Sequence, residues 1–155
     1  MIQLISSVLN LIILDKMNEK ISEREANQYS PLSLAFLGDG VYDLLVRELL
    51  MLEANMPVSK LHSKKIKLVC AEFQSNAYDT VLPILNEKEA AVLKRGRNAT
   101  GNNVPKHANN AEYRKATALE SLFGYLHLTG QKDRINQIFK IISSLDAHDN
   151  ISENS

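Results

Sequence analysis

SPLSLAFLGDGVYDLLVREL, Ser30 to Leu49, is apolar along nearly its whole length, yet it sets a carboxylate, Asp39, between Gly38 and Gly40. A buried carboxylate is costly without a partner, and a glycine inside a helix costs about 1 kcal/mol relative to alanine. A second stretch answers the first. EYRKATALESLFGYLHL, Glu112 to Leu128, is another apolar helical run with one interior carboxylate, Glu120, and one interior glycine, Gly124. Glycine lets two helix backbones approach closely, so the pair predicts a crossing that brings Asp39 and Glu120 face to face. Two converging carboxylates at low dielectric either share a proton or bind a cation. From the residues alone the plainer alternative stays open, in which each acid is the polar edge of its helix.

Around these two helices the chain reads as helical throughout. It has 155 residues with 45% hydrophobic composition, enough for one domain with a real core. No convincing period-2 run, internal repeat or glycine-rich phosphate loop interrupts the pattern, and the fold predicted is all-α. Lysine and arginine balance aspartate and glutamate. A nucleic-acid surface would therefore have to come from segregated charge. One cysteine, Cys70, excludes an internal disulfide framework, and four scattered histidines show no zinc spacing.

The first fourteen residues, MIQLISSVLNLIIL, lack a basic leader and are shorter than the roughly 20 residues of a bilayer span. They read as a docking helix or as an extension ahead of a later start at Met17. Ser22 and Glu25 have capping-box spacing, and Ser30 with Pro31 marks the start of the Asp39 helix. The next helix is predicted after Pro57, with Ser59 as N-cap, running unbroken to about Val81 and burying Leu61, Ile66, Val69, Phe73 and Ala77. Lys60, His62, Lys64, Lys65 and Lys67 on it form the most basic run of the chain, either a solvated face or a set of phosphate contacts. Asn86 and Glu89 repeat the capping-box spacing, and Gly96 is expected as a left-handed C-terminal cap. Residues 96–111 form one long glycine- and asparagine-rich segment, a working loop or a linker, flanked or occupied by Arg95, Arg97, Lys106, His107 and Arg114. Gly130 is expected to close the Glu120 helix. A last amphipathic helix presents Ile135, Ile138, Phe139 and Ile142, with a polar tail after Leu145.

LAFLGDGVYDLLVR resembles the signature helix of the ribonuclease III catalytic domain, and TALESLFGYLHL resembles that family's second signature. VLKRGRNA, Val92 to Ala99, is similar to a segment of its short branch, Mini-ribonuclease III. Three motifs in the right order, from about Pro31 to Ile142, identify the chain as a member of that branch. The resemblance implies a ribonuclease III-like catalytic domain over residues 30–145, an N-terminal extension and surface helix over 1–29, and a polar tail over 146–155. Two acids of the family's usual quartet are absent: Ala35 and Thr117 stand at their positions, as is usual in the Mini-III branch.

On this reading Asp39 and Glu120 are the catalytic and metal-binding residues, holding Mg2+ that activates a water for in-line attack. Asp43, one turn after Asp39, and Thr117 are candidate outer partners. The implied reaction is endonucleolytic cleavage of double-stranded RNA, leaving 5'-phosphate and 3'-hydroxyl ends. The implied substrate is the precursor of the large-subunit (23S) ribosomal RNA, and the implied partner is a second copy in a homodimer. A cytoplasmic, non-membrane protein is expected. No appended double-stranded-RNA-binding domain is expected, so Lys64, Lys65, Arg95, Arg97, Lys106 and Arg114 are the candidate RNA contacts. The alternative is a non-catalytic RNA-binding or ribosome-assembly factor on the same helical fold.

Overall fold

The computed structural model describes residues 1–17, 19–99 and 110–152. Every regular element among them is helical: α1 (Ile2–Met17), α2 (Glu23–Ala26), α3 (Pro31–Glu53), α4 (Val58–Val69), α5 (Ala71–Val81), a 3-10 turn (Leu82–Ile84), α6 (Glu87–Asn98), α7 (Asn110–Leu128) and α8 (Lys132–Ser152). No helix among the described residues is long and apolar enough to cross a membrane.

Helix α7 is the centre of the molecule. Every residue from Ala116 to Leu126 except Glu120 is buried. A helix apolar on all sides belongs inside a bundle, and α3, α5, α6 and α8 all pack on this one. Helix α3 meets it along a single ridge of every fourth residue: Leu34, Gly38, Tyr42, Val46 and Leu50. Tyr42 stands edge-on to Phe123 at 5.4 Å and to Phe139 at 5.9 Å between ring centres, which joins α3, α7 and α8.

The crossing is backbone against backbone. A Cβ at Gly38 would lie 1.7 Å from the Glu120 carbonyl oxygen, and one at Gly124 would lie 2.0 Å from the Leu34 carbonyl oxygen. Gly40 plays no such part, since a Cβ there meets nothing within 4 Å. Gly96 is not the expected left-handed cap; it lies within α6, where a Cβ would sit 2.7 Å from Ser121 Oγ and 2.8 Å from Ala118 Cα. Its role is to let α6 close on α7. Gly130, with φ of 73°, does end α7 in the left-handed region.

Local chemistry sets most of the other boundaries. Both expected capping boxes form, Ser22 with Glu25 and Asn86 with Glu89, and Ser30 caps α3 ahead of Pro31. The buried Glu89 also receives Arg134 Nε at 2.8 Å and Nη2 at 2.9 Å, which locks the start of α6 to α8. Ile135, Ile138 and Ile142 are buried as their spacing predicted, with Phe139 packed beside them.

Three boundaries differ from expectation. The single helix expected to run to Val81 is two, because Cys70 is extended (φ −69°, ψ 155°) between α4 and α5. The break releases α4's last carbonyls, and the buried Tyr42 hydroxyl donates to one of them, Leu68 O, at 2.9 Å. It also changes which residues face inward: Ile66 is exposed, while Leu68, Gln74, Ser75, Tyr78 and Val81 are buried beside Ala77. Pro57, not Ser59, holds the N-cap position of α4. Finally α8 continues past Leu145 to Ser152, a stretch with no glycine or proline to stop it. Helix α1 packs on nothing: its side chains from Gln3 to Met17 are all exposed and cover no part of the core.

Candidate active site

The crossing of α3 and α7 brings Asp39 close enough for its charge to act on Glu120. Gly38 touches the Glu120 backbone, so Asp39, the next residue, stands at the edge of the same contact. Asp39 is exposed, and Glu120 is the one half-buried position in the buried stretch of α7. Burial lifts the Glu120 carboxyl from its ordinary 4.5 to about 7; the charge of Asp39 adds to the rise and a side-chain hydrogen bond from Gln74 opposes it. Either a proton or a cation would relieve the repulsion between the two carboxylates.

Gln74 was not foreseen from sequence. It is 1% exposed, on the second turn of α5, and is delivered to Glu120 by the break at Cys70. Its amide hydrogen-bonds to the Glu120 carboxylate while Oε1 has no partner at all. The signal was present but weak: a lone amide three and four residues before Ala77 and Tyr78, on what proves to be the buried side of α5. Tyr42 lies close enough for Glu120 to act on it. Burial first, then the Cys70 and Glu120 charges, hold its hydroxyl above the ordinary tyrosine range, so it stays a neutral donor to Leu68 O.

This donor set fits a hard divalent cation. Asp39 and Glu120 offer carboxylate oxygens, and no sulfur or imidazole is among them. Among the described residues no group of three or more His, Cys, Asp or Glu side chains converges. A site with few charged protein oxygens suits magnesium, which retains waters in its shell.

The remaining expected residues are dispersed around this centre. Asp43 is held by Lys65 and Arg47. Burial acts to raise its carboxyl, but the hydrogen bonds and charges of these two cations outweigh that and hold it below its ordinary value. Thr117 is buried and its hydroxyl donates to Tyr113 O at 3.0 Å. Lys64 pairs with Glu53 at 2.7 Å. Arg95 donates to Asn27 O at 3.1 Å and Asn27 Oδ1 at 2.7 Å, tying α6 to the end of α2. Arg97 lies 5.9 Å from the centre of the Tyr78 ring, exposed on its outer side, and Arg114 is exposed near the start of α7. Lys106 lies outside the described residues.

Comparison with known proteins gives the family. The family model for the ribonuclease III domain matches residues 32–131, which span both signature helices. The Mini-ribonuclease 3 of a Thermoanaerobacter species is 37% identical over 123 residues, covering 79% of this chain and 87% of the relative. That of Brevibacillus brevis is 43% identical over 115 residues, covering 74% and 86%. A crystal structure of a Fusobacterium nucleatum protein superposes with a TM-score of 0.69 at 30% identity, covering 74% of this chain and 93% of that one. The chain, with its ribonuclease III domain built around the Gly38–Gly124 crossing, belongs to the Mini-ribonuclease 3 family.

Proposed function

We propose that this chain is a magnesium-dependent nuclease that cuts double-stranded RNA as a homodimer, with Asp39 and Glu120 as its catalytic acids. Membership of the Mini-ribonuclease 3 family makes it an endoribonuclease. The observation that carries the finer reading is the carboxylate pair: no cation among the described residues pairs with Glu120, and its carboxyl is lifted to about 7.

Asp39 and Glu120 would hold the ion. When bound, a hard divalent cation lowers the pKa of an attacking water and neutralises charge on the scissile phosphate. The chain's own residues prepare for this in three ways. The glycine crossing fixes the two carboxylates on rigid helix backbones. Gln74 restrains the Glu120 side chain. Burial keeps Glu120 partly protonated near neutrality, so cation uptake releases a proton and strengthens as pH rises.

Duplex RNA is recognised by shape and by backbone and 2'-hydroxyl contacts, for which spaced cations on a helical scaffold suffice. Of the candidate contacts, Arg97 and Arg114 are exposed; Lys64, Lys65 and Arg95 would exchange existing partners for phosphate. Lys106 completes the set. Dimerisation is supported by the outer side of α3, where Phe36, Leu44 and Met51 lie exposed along one line, Phe36 at 87%. An apolar stripe of this kind marks an association surface, and on a single chain it favours a two-fold self-complementary contact. The substrate we assign is the large-subunit (23S) ribosomal RNA precursor, in the cytoplasm.

The reading is tested by incubating the protein with a long labelled RNA duplex, and with the same strands kept single, in magnesium. Cutting confined to the duplex, with 5'-phosphate and 3'-hydroxyl ends, is the expected result. Retention of the duplex without cutting under any divalent ion would replace the nuclease with a binding factor.

A further inference from the structure

Helix α1 lies outside residues 32–131, the span that matches the family's domain, and nothing in the nuclease reading uses it. Its residues sort by face. At about 100° per residue, Gln3, Ser6, Ser7 and Asn10 share one side, while Leu4, Ile5, Val8, Leu9, Leu11 and Ile12 fill the opposite half-turn. Those six apolar side chains are between 48% and 72% exposed, a contiguous patch of the kind that marks an association surface. The polar side carries no lysine or arginine, so α1 lacks the cationic face of a helix that lies on a lipid surface. An arc this neutral suits an apolar protein groove.

A groove of that character lies at the other end of a short connection. Val41, Leu44 and Leu45 of α3, Leu126 of α7 and Ile135 of α8 line about 380 Å3 of mainly apolar space, with Lys20 at the rim. Helix α1 ends at Met17, three residues before Lys20, and Ile21 N donates to Leu128 O at 3.1 Å, which pins the chain beside the groove. Even so, α1 does not enter the groove of its own chain, since its side chains from Gln3 to Met17 are all exposed. Leu44 belongs both to this groove and to the exposed line of Phe36, Leu44 and Met51 on α3. A second copy seated on that line therefore lies next to the groove.

We propose that α1 of each copy seats its apolar arc in the groove between α3, α7 and α8 of the other, so that an exchange of N-terminal helices closes the dimer. The inference rests on the reading of the chain as a homodimer and names the element that stabilises it. The α3 line alone offers three exposed side chains, where a stable interface takes about 20–30 residues and about 800 Å2 a side. Two-fold symmetry makes the exchange act twice: every copy gives one α1 and receives one, so arc and groove extend the contact on both sides. The exchange also accounts for a helix that buries none of its apolar surface on its own core.

Sedimentation equilibrium of the full chain reads the dimer directly. Val8→Asp with Ile12→Asp, in the middle of the arc, is expected to raise the dimer dissociation constant by about 100-fold or more, because two carboxylates would have to leave water at the interface. Ser7→Asp, on the polar side, is expected to leave it within about 2-fold of the wild type. A wild-type dimer unmoved by Val8→Asp with Ile12→Asp overturns the role of α1 and leaves the dimer standing; a wild type that sediments as a monomer overturns both. Cross-linking identifies the groove. In a Cys70→Ser background, chains carrying Val8→Cys are mixed with tagged chains carrying Leu45→Cys and treated with a flexible bis-maleimide. Covalent heterodimers are the expected product. Their absence overturns the exchange, and so does a chain carrying both cysteines that links only within itself, since α1 would then fold back on its own groove. Flotation with neutral phosphatidylcholine vesicles is expected to leave the protein behind. Capture that Val8→Asp with Ile12→Asp abolishes would make lipid the occupant and overturn the proposal as well.

Discussion

Replacing Glu120 with glutamine exposes the energetic cost of the carboxylate pair. Glu120 is lifted from 4.5 to about 7, chiefly by burial and then by Asp39. A carboxyl with a raised folded-state pKa binds a proton more readily when folded than when unfolded, so its ionisation opposes folding. The cost is absent well below pH 4.5, grows through the window from 4.5 to 7, and is complete above it. Its size above pH 7 is about 3 kcal/mol. Glu120→Gln has nearly the same shape and cannot ionise. In chelator at pH 8 it is therefore expected to be more stable than the wild type by about 3 kcal/mol, or about 6–12 °C in melting temperature. At pH 4 the two should coincide within about 0.5 kcal/mol. Magnesium narrows the gap at pH 8, stabilising the wild type by mass action and leaving the variant unchanged. The assay is thermal or urea unfolding at the two pH values, with chelator and with magnesium. A variant less stable than the wild type in chelator at pH 8, or equally displaced at both pH values, would refute the reasoning.

The two glycines flanking Asp39 should separate cleanly. Gly38→Ala drives a Cβ into the Glu120 carbonyl and is expected to cost about 3 kcal/mol or more, while Gly40→Ala, with open space around it, is expected to gain up to about 1 kcal/mol; urea unfolding reads both. Phe36→Asp is expected to give a monomer by sedimentation with helical content unchanged, because the ring makes no part of its own chain's core; lost helicity would contradict the exposed face. Arg97→Ala is expected to weaken duplex binding and lower the slope of log affinity against log salt by about 1, whereas Arg95→Ala should in addition lower stability by about 1 kcal/mol through its lost bonds to Asn27. Filter binding at several salt concentrations and urea unfolding distinguish the two arginines.

The crossing was legible because it violates a rule of helix composition twice over. Glycine and a carboxylate inside apolar helices are unfavourable locally, so their presence at Asp39 and Glu120 pointed to a tertiary reason. Gly38 and Gly124 supply it, yet sequence could not say that Gly40 has no part in the contact. The caps at Ser22, Ser30 and Asn86 were legible because their partners lie three residues away. The break at Cys70 was not. No proline or glycine marks it, and what accommodates it is a hydroxyl from Tyr42 on another helix. Gln74 was hidden for the same reason, since its inward direction depends on that break. Gly96 was misread because a glycine near a helix end has two uses, as a left-handed cap or as a close approach, and only the position of Ser121 decides between them. The expected RNA-contacting cations divided by partner: Lys65 and Arg95 are engaged by residues remote in sequence, which charge patterning along a helix does not reveal.

The central claim, that Asp39 and Glu120 together form a cation-dependent catalytic site, is tested most directly by duplex cleavage in magnesium. Wild type, Asp39→Asn and Glu120→Gln are compared at matched low salt, with duplex binding measured in the same samples. Cleavage is expected to vanish in both variants and in chelated wild type while duplex binding persists in all three. Cleavage surviving in either variant would contradict it.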